Sequence, residues 1–136
     1  MRKFTAILRG KNEVPPVRTN ATGSTLFQLN RAGDALFFKL TVRDIRRVTA
    51  AHIHLGPKGV NGPVVAFLFG DSPFGITVRK GVVTGRLTAA NLMGPLSGRT
   101  IADLVREIKN NNAYVNVHTE QNPNGEIRGQ IFKNPC

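Results

Sequence analysis

Most of this chain consists of short segments in which apolar and polar residues alternate, separated by turns rich in glycine and proline. Residues 2–10 place Phe4, Ala6 and Leu8 on one face and polar side chains on the other, which is the pattern of a half-buried strand. The same pattern predicts further strands in STLFQLN, ALFFKLTVRDI, RVTAAHIHL, GPVVAFLFG, GITVRKGVVTGRLT, AYVNVHT and GEIRGQIF. We therefore expect an all-β fold of sequential antiparallel strands.

One segment has a different period. In SGRTIADLVREIKNNN the apolar residues between Ile101 and Ile108 recur at helical spacing, and Thr100 stands three residues before Asp103, as in a capping box. This predicts one short helix over residues 100–110. Together with the strands, it indicates a compact antiparallel sandwich or barrel of about seven to nine strands.

Length and composition are those of a single globular domain, expected to span 1–136, with 40% hydrophobic and 20% charged residues. The only cysteine is Cys136, so a disulfide within the chain is impossible, although this thiol could crosslink two chains in a homo-oligomer. No run of apolar residues reaches the length of a transmembrane segment, and the N-terminal apolar stretch is too short for a signal peptide. We expect a cytoplasmic or spore-associated protein, or an exported one whose signal has been removed.

The net charge of +11 favours acidic partners such as polyanionic polymers or surfaces. The cations are spread along the chain and never form the continuous basic arm of a nucleic-acid-binding protein, so no specific nucleic-acid motif is present. A positively charged, solvated surface is the simpler interpretation. The chain also has no G-x-S-x-G, P-loop or G-x-G-x-x-G motif, and hydrolytic or nucleotide chemistry therefore has no support.

The residues of this sequence that do suggest a chemical function are its histidines. His52 and His54, in AAHIHLG, lie two residues apart on one predicted strand and therefore share a face. His118, the only other histidine, ends the predicted strand AYVNVHT on the same face as Tyr114 and Asn116. If the two strand ends converge, three neutral imidazoles with an open fourth position would suit zinc or copper.

A purely structural interpretation of the histidines remains open. In regular alternation the face of His52 and His54 also carries Val48 and Ala50 and would be the core side, whereas the face of His118 is polar and would be solvated. If these faces lie on opposite sides of one layer, the histidines cannot meet, and hydrogen bonds alone would satisfy them.

Three charged residues are expected near the histidines. Glu126 lies across the turn from His118, where it could hydrogen-bond the imidazole, orient it or act as a fourth ligand. Arg128 could bind an anion with both arms of its guanidinium, or form an internal salt bridge with Glu126 or Glu13. Glu13 stands beside Pro15 and Pro16, which would hold it rigidly or simply shape a loop.

Three stretches together, FTAILRGKNEVPPVRTNATG, VTAAHIHLGPKGVNGPVV and AYVNVHTEQNPNGEIRGQI, resemble the CHRD domain, a module first noted in the animal protein chordin and widespread in bacterial proteins. The similarity runs from about Phe4 to Ile131. It implies an all-β, Greek-key-like sandwich. The residues that match the family's pattern are Glu13, Pro15, Pro16, His52, His54, Gly56, Gly62, Pro63, Asn116, His118, Pro123, Gly125, Glu126, Arg128, Gly129 and Gln130.

The resemblance implies no particular reaction, and we expect a binding protein rather than an enzyme. The leading hypothesis is a protein that binds zinc, copper or a small anionic ligand through His52, His54 and His118, with Glu126, Arg128, Glu13 and Asn116 shaping the pocket. Short basic versions of the domain are similar to ones from spore-forming bacteria, which suggests the alternative of a self-assembling spore-coat or envelope protein. A copper redox enzyme resembling superoxide dismutase is the weakest alternative, because three histidines are too few for its two-metal site.

Overall fold

The computed structural model describes residues 2–134, so the crosslinking prediction for Cys136 falls outside the described part of the chain. Seven strands and one α-helix form, as the alternating and helical patterns predict. The strands are β1 (Lys3–Arg9), β2 (Thr22–Leu29), β3 (Leu36–Leu55), β4 (Val64–Phe69), β5 (Ile76–Leu87), β6 (Ala113–Thr119) and β7 (Ile127–Lys133). The helix α1 is Ile101–Lys109, and short 3-10 helices span Gly10–Asn12, Ala89–Asn91 and Gly94–Leu96.

Five of the strands close into an antiparallel barrel in the order β1, β2, β3, β6, β7 and back to β1. The two remaining strands, β4 and β5, pair with β3 and extend the sheet beyond the barrel. The expected fold class is thus confirmed in its barrel form. Closure leaves no free edges among the barrel strands, because each pairs with a neighbour on both sides.

The longest strand differs from the prediction. The segments ALFFKLTVRDI and RVTAAHIHL were expected as separate strands, but β3 runs through both over 20 residues. It changes direction at Asp44 and Arg47, whose φ angles are 52° and 57°, and its register shifts between Ile45 and Val48 against β5. Before this corner β3 pairs with β2 and with most of β5, and after it mainly with β6 and β4, so one strand links both parts of the sheet.

The barrel interior is filled by the apolar halves of the alternating strands. Phe4, Leu8, Phe27, Ile53 and Ile127 have no exposed surface. Helix α1 packs its apolar stripe against β6 and β7, and its start has the predicted capping box, in which Asp103 N–H donates to the Thr100 hydroxyl at 3.2 Å. Within residues 2–134 no helix has the length and apolar character needed to cross a membrane.

Candidate metal centre

The three histidines meet on the outer face of the barrel wall formed by β3, β6 and β7. A bulge in β3 between Val48 and Ala50 puts Val48 in the core, while His52 and His54 point away from it. The expectation that Val48 shares their face was therefore wrong, because alternation is interrupted at the bulge. Beyond it, Ala50 lies opposite His118, so all three imidazoles lie on one side of the sheet.

The side chains beside the histidines are also polar, and they are buried. His52 pairs with Asn116, which pairs with Arg128 on β7, and His54 pairs with Tyr114. Tyr114 and Asn116 are only 2% exposed, and Arg128 only 1%. The face of His118 was expected to be the wetter side, but Arg128 is buried under residues 57–61, with which it hydrogen-bonds.

The imidazoles form one compact cluster. One potential ligand atom from each of the three histidines lies within 4.8 Å of the others. Nδ1 of His52 is 3.1 Å from Nε2 of His118. Two nitrogens bound to one tetrahedral ion at 2.0–2.1 Å would be roughly 3.3 Å apart, so this pair already has nearly the separation that a shared metal requires. Of the two arrangements that the sequence left open, the structure has the one in which the strand ends converge.

Hydrogen bonds to backbone carbonyls fix the tautomers of two histidines. Nδ1 of His54 lies 2.9 Å from the Gly62 carbonyl, and Nδ1 of His118 lies 2.9 Å from the Pro123 carbonyl. Because a carbonyl can only accept, each Nδ1 carries the proton and each Nε2 keeps a lone pair. The lone pair of His118 then accepts from His52 Nδ1–H, which leaves Nε2 of His52 unprotonated as well.

Two of these lone pairs have no hydrogen-bond partner within the described residues. Nε2 of His52 and Nε2 of His54 are buried and accept no hydrogen bond. A buried acceptor without a donor is destabilising, and such atoms in a native protein call for an explanation such as a bound ion or water. The cluster therefore presents the electron pairs that a cation would use.

Burial keeps the imidazoles neutral. Burial, together with the neighbouring His118 and His54, lowers the pKa of His52 to about 4. Burial also lowers the pKa of His54 and of His118, although the hydrogen bonds to the Gly62 and Pro123 carbonyls partly oppose this. At neutral pH none of the three has to lose a proton to bind a metal ion.

A stack of three side chains holds the loop that supplies the Gly62 carbonyl. The guanidinium carbon of Arg128 lies 3.5 Å from the centre of the Tyr114 ring, and that ring stacks on His54 with centres 4.9 Å apart. Arg128 also donates to Asn61 Oδ1 at 2.9 Å and to the Val60 carbonyl at 2.7 Å. Arg128 thus positions the loop that orients His54.

Glu13 lies in the same buried layer, where it interacts with Asn116 and Arg128. Its side chain is 4% exposed, and its Oε2 has no hydrogen-bond partner within the described residues. Burial raises the pKa of Glu13 to about 7, against the opposing effect of the Arg128 charge. The alternative of a salt bridge from Arg128 to Glu13 or Glu126 is not what forms in residues 2–134, where Arg128 donates instead to carbonyl and amide oxygens.

Glu126 organises the turn that carries Pro123. Its carboxylate accepts hydrogen bonds from Thr19, Thr119, Gln121 and Asn122, at 2.7–3.0 Å. These bonds hold its pKa below the usual value despite burial. The suggested direct bond to His118 does not form, because His118 Nδ1 is taken by the Pro123 carbonyl. Glu126 therefore acts on His118 through the turn.

Sequence reasoning assigned no role in the cluster to three of its contributors. Gly62 and Pro123 act through carbonyl oxygens, which leave no trace in a side-chain pattern. Phe67 on β4 packs its ring against His52 with centres 4.2 Å apart. Tyr114 was placed on the correct face, but its stacking on His54 could only follow from the strand register.

Fold and site together define a closed β-barrel with a three-histidine cluster on its outer wall, in which His52 and His54 are buried and His118 is half-buried. The family model of the CHRD domain matches residues 4–131, so the chain belongs to the CHRD domain family. A comparison with curated proteins finds no match for this sequence.

Proposed function

We propose that this protein is a non-enzymatic binding protein that takes up one transition-metal ion through His52, His54 and His118. The observation that carries the proposal is the orientation of the imidazoles: carbonyl acceptors fix the protons of His54 and His118 on Nδ1, and one ring nitrogen from each of the three histidines lies within 4.8 Å of the others. Metal-bound histidines typically donate their other ring N–H to an oxygen acceptor in this way.

The donor set favours zinc or copper. Imidazole nitrogens suit both ions, and three of them leave a fourth position for water or another ligand. Hard ions such as magnesium and calcium need oxygen ligands, and the nearby carboxylate of Glu126 is already occupied by hydrogen bonds. Glu13, Asn116 and Arg128 would shape the pocket around the ion rather than bind it.

Metal uptake has one structural requirement. The Nε2 lone pair of His118 cannot bind a metal while it accepts the His52 proton, so the 3.1 Å hydrogen bond between the two rings must break. His52 would then contribute a lone pair, either by moving its proton from Nδ1 to Nε2 or by turning its ring. Both rings remain neutral, and uptake at pH 7 should release almost no protons.

The test is elemental analysis and calorimetric titration with zinc and copper(II), using protein purified without a metal-affinity tag. One ion per chain is expected. His54→Gln removes the ligand nitrogen, and it should weaken binding by more than about 100-fold.

Phe67→Leu is the matched control, because it removes the ring beside His52 and keeps every imidazole. Its affinity should stay within about tenfold of the wild type. Since all three histidines of the chain are in the cluster, no other imidazole can account for binding. Absence of stoichiometric metal, or equal affinities for wild type and His54→Gln, would refute the proposal.

A further inference from the structure

A second feature of the barrel surface shares no residue with the histidine cluster. A groove of about 430 Å³ crosses the outer surface of β1, β2, β3 and β5. Its lining includes four cations and no acidic residue: Arg9, Lys39, Arg43 and Lys80. All four are exposed, and within residues 2–134 none of them forms an ion pair with an acidic side chain.

Strand register concentrates the charge. Arg9 pairs with Thr22, Thr22 with Arg43, and Arg43 with Lys80, so these residues form one row across four neighbouring strands. Arg43 and Lys80 are directly opposite, an arrangement in which like charges repel and destabilise a sheet. A row of cations without acidic neighbours costs stability in the free protein, and a bound anion would relieve that cost.

We propose that this groove binds a linear, phosphate-bearing polyanion. More than one anionic group is needed because Lys39 lies four residues from Arg43 on β3, about 13 Å along the strand, and one phosphate cannot bridge that span. Phosphate suits the lining because an arginine fork binds two of its oxygens while neighbouring hydroxyls donate to others. Thr22, Ser24 and Thr41 supply those hydroxyls.

The lining also indicates what the polyanion lacks. Single-stranded nucleic acids bind grooves in which aromatic rings stack on the bases, and this groove has no aromatic residue. A chain of phosphates without bases, such as inorganic polyphosphate, therefore fits better than RNA or DNA. The groove shares no residue with the histidine cluster, so this proposal can be refuted without refuting the metal proposal, and the reverse is also true.

Fluorescence anisotropy with end-labelled inorganic polyphosphate tests the proposal. Neutralising four phosphates should make the logarithm of affinity fall with the logarithm of salt concentration with a slope of about −3. Binding should therefore weaken by about 30-fold between 50 and 150 mM salt. The double variant Arg43→Gln/Lys80→Gln should reduce the slope by about 1.5 and weaken binding by at least tenfold at the lower salt concentration.

The double variant has a second signature. Removing the repulsion between β3 and β5 should raise its Tm by about 1–3 °C in low salt, so that its loss of binding cannot come from unfolding. The matched control is Arg31→Gln/Arg99→Gln, which lowers the net charge equally at exposed sites outside the groove. It should keep polyphosphate binding within about threefold of wild type, because distant charges are screened.

Three results would overturn the proposal. An equal loss of affinity in the control variant would mean that net charge, not the groove, binds the probe. Displacement of the probe by orthophosphate at the same total phosphate concentration would mean that a single ion occupies the site. Tighter binding of oligothymidylate than of polyphosphate carrying the same charge would mean that bases contribute.

Discussion

Two buried groups, Glu13 and His52, should affect the pH dependence of stability in opposite directions. Glu13 has a pKa of about 7 in the folded protein and 4.5 in the unfolded chain, so between these values the folded state holds a proton that the unfolded state has lost. Its contribution to stability is complete below pH 4.5 and disappears as the pH rises to 7.

His52 has the opposite sign. Its pKa is about 4 in the folded protein and 6.5 in the unfolded chain, so the unfolded state binds the extra proton. Its contribution is complete above pH 6.5 and is lost as the pH falls towards 4. The lowered pKa values of His54 and His118 add to this loss in acid.

The two effects are similar in size. A shift of about 2.5 pKa units corresponds to about 3 kcal/mol for each group. Acidifying the wild type from pH 7 to 4.5 should therefore change the free energy of unfolding little from this pair, because Glu13 gains about what His52 loses. Glu13→Gln removes only the gain, and the variant should lose about 3 kcal/mol more than the wild type over this interval.

Urea denaturation of the metal-free protein, followed by circular dichroism from pH 4.5 to 7.5, measures the difference. The chain has no tryptophan and one tyrosine, which makes far-ultraviolet dichroism the better signal. At pH 7 the variant should be the more stable of the two, because the wild type keeps a carboxyl group in a site that disfavours its charge. Parallel curves for the two proteins would refute the assignment of Glu13 as a group that is protonated on folding.

Two further substitutions test how the histidines are held. Gly62→Ala would press a Cβ against the Leu55 carbonyl oxygen, so the loop must move and the His54 acceptor is lost. We expect destabilisation of about 1–3 kcal/mol in urea denaturation and a loss of metal affinity of about 10- to 100-fold in calorimetry. Arg128→Lys keeps the charge but loses the planar fork and the stack on Tyr114, and a decrease in stability of about 2–3 kcal/mol is expected. Unchanged stability for Arg128→Lys would show that charge alone holds the loop.

Much of the fold could be predicted because it depends on local patterns. The strands follow period-two alternation, and the capped helix follows from Thr100, Asp103 and the apolar spacing between them. The corner in β3 could not be predicted in this way. Its left-handed residues are Asp44 and Arg47, and no glycine or proline marks the change of direction.

For the candidate site, the residues that take part were easier to predict than the way in which they are arranged. Alternation correctly groups Tyr114, Asn116 and His118 on one face, since successive side chains of a strand point to opposite sides. It cannot show whether that face is solvated. Here residues 57–61 cover this face and are held there by hydrogen bonds from Arg128. These bonds join residues about 70 positions apart in the sequence.

The bulge between Val48 and Ala50 decides whether the histidines can meet. Without the bulge, regular alternation would place Val48 and His52 on the same face of β3. Both side chains would then point into the core, or both would point away from it. With the extra residue, Val48 fills the core while His52 faces Asn116 and His118. A shift of one residue in the backbone thus lets the same strand pack Val48 in the core and place its two imidazoles on the outer face. No distinctive residue type in the sequence marks this bulge. The pair in AAHIHLG joins His118 in one cluster only through that shift.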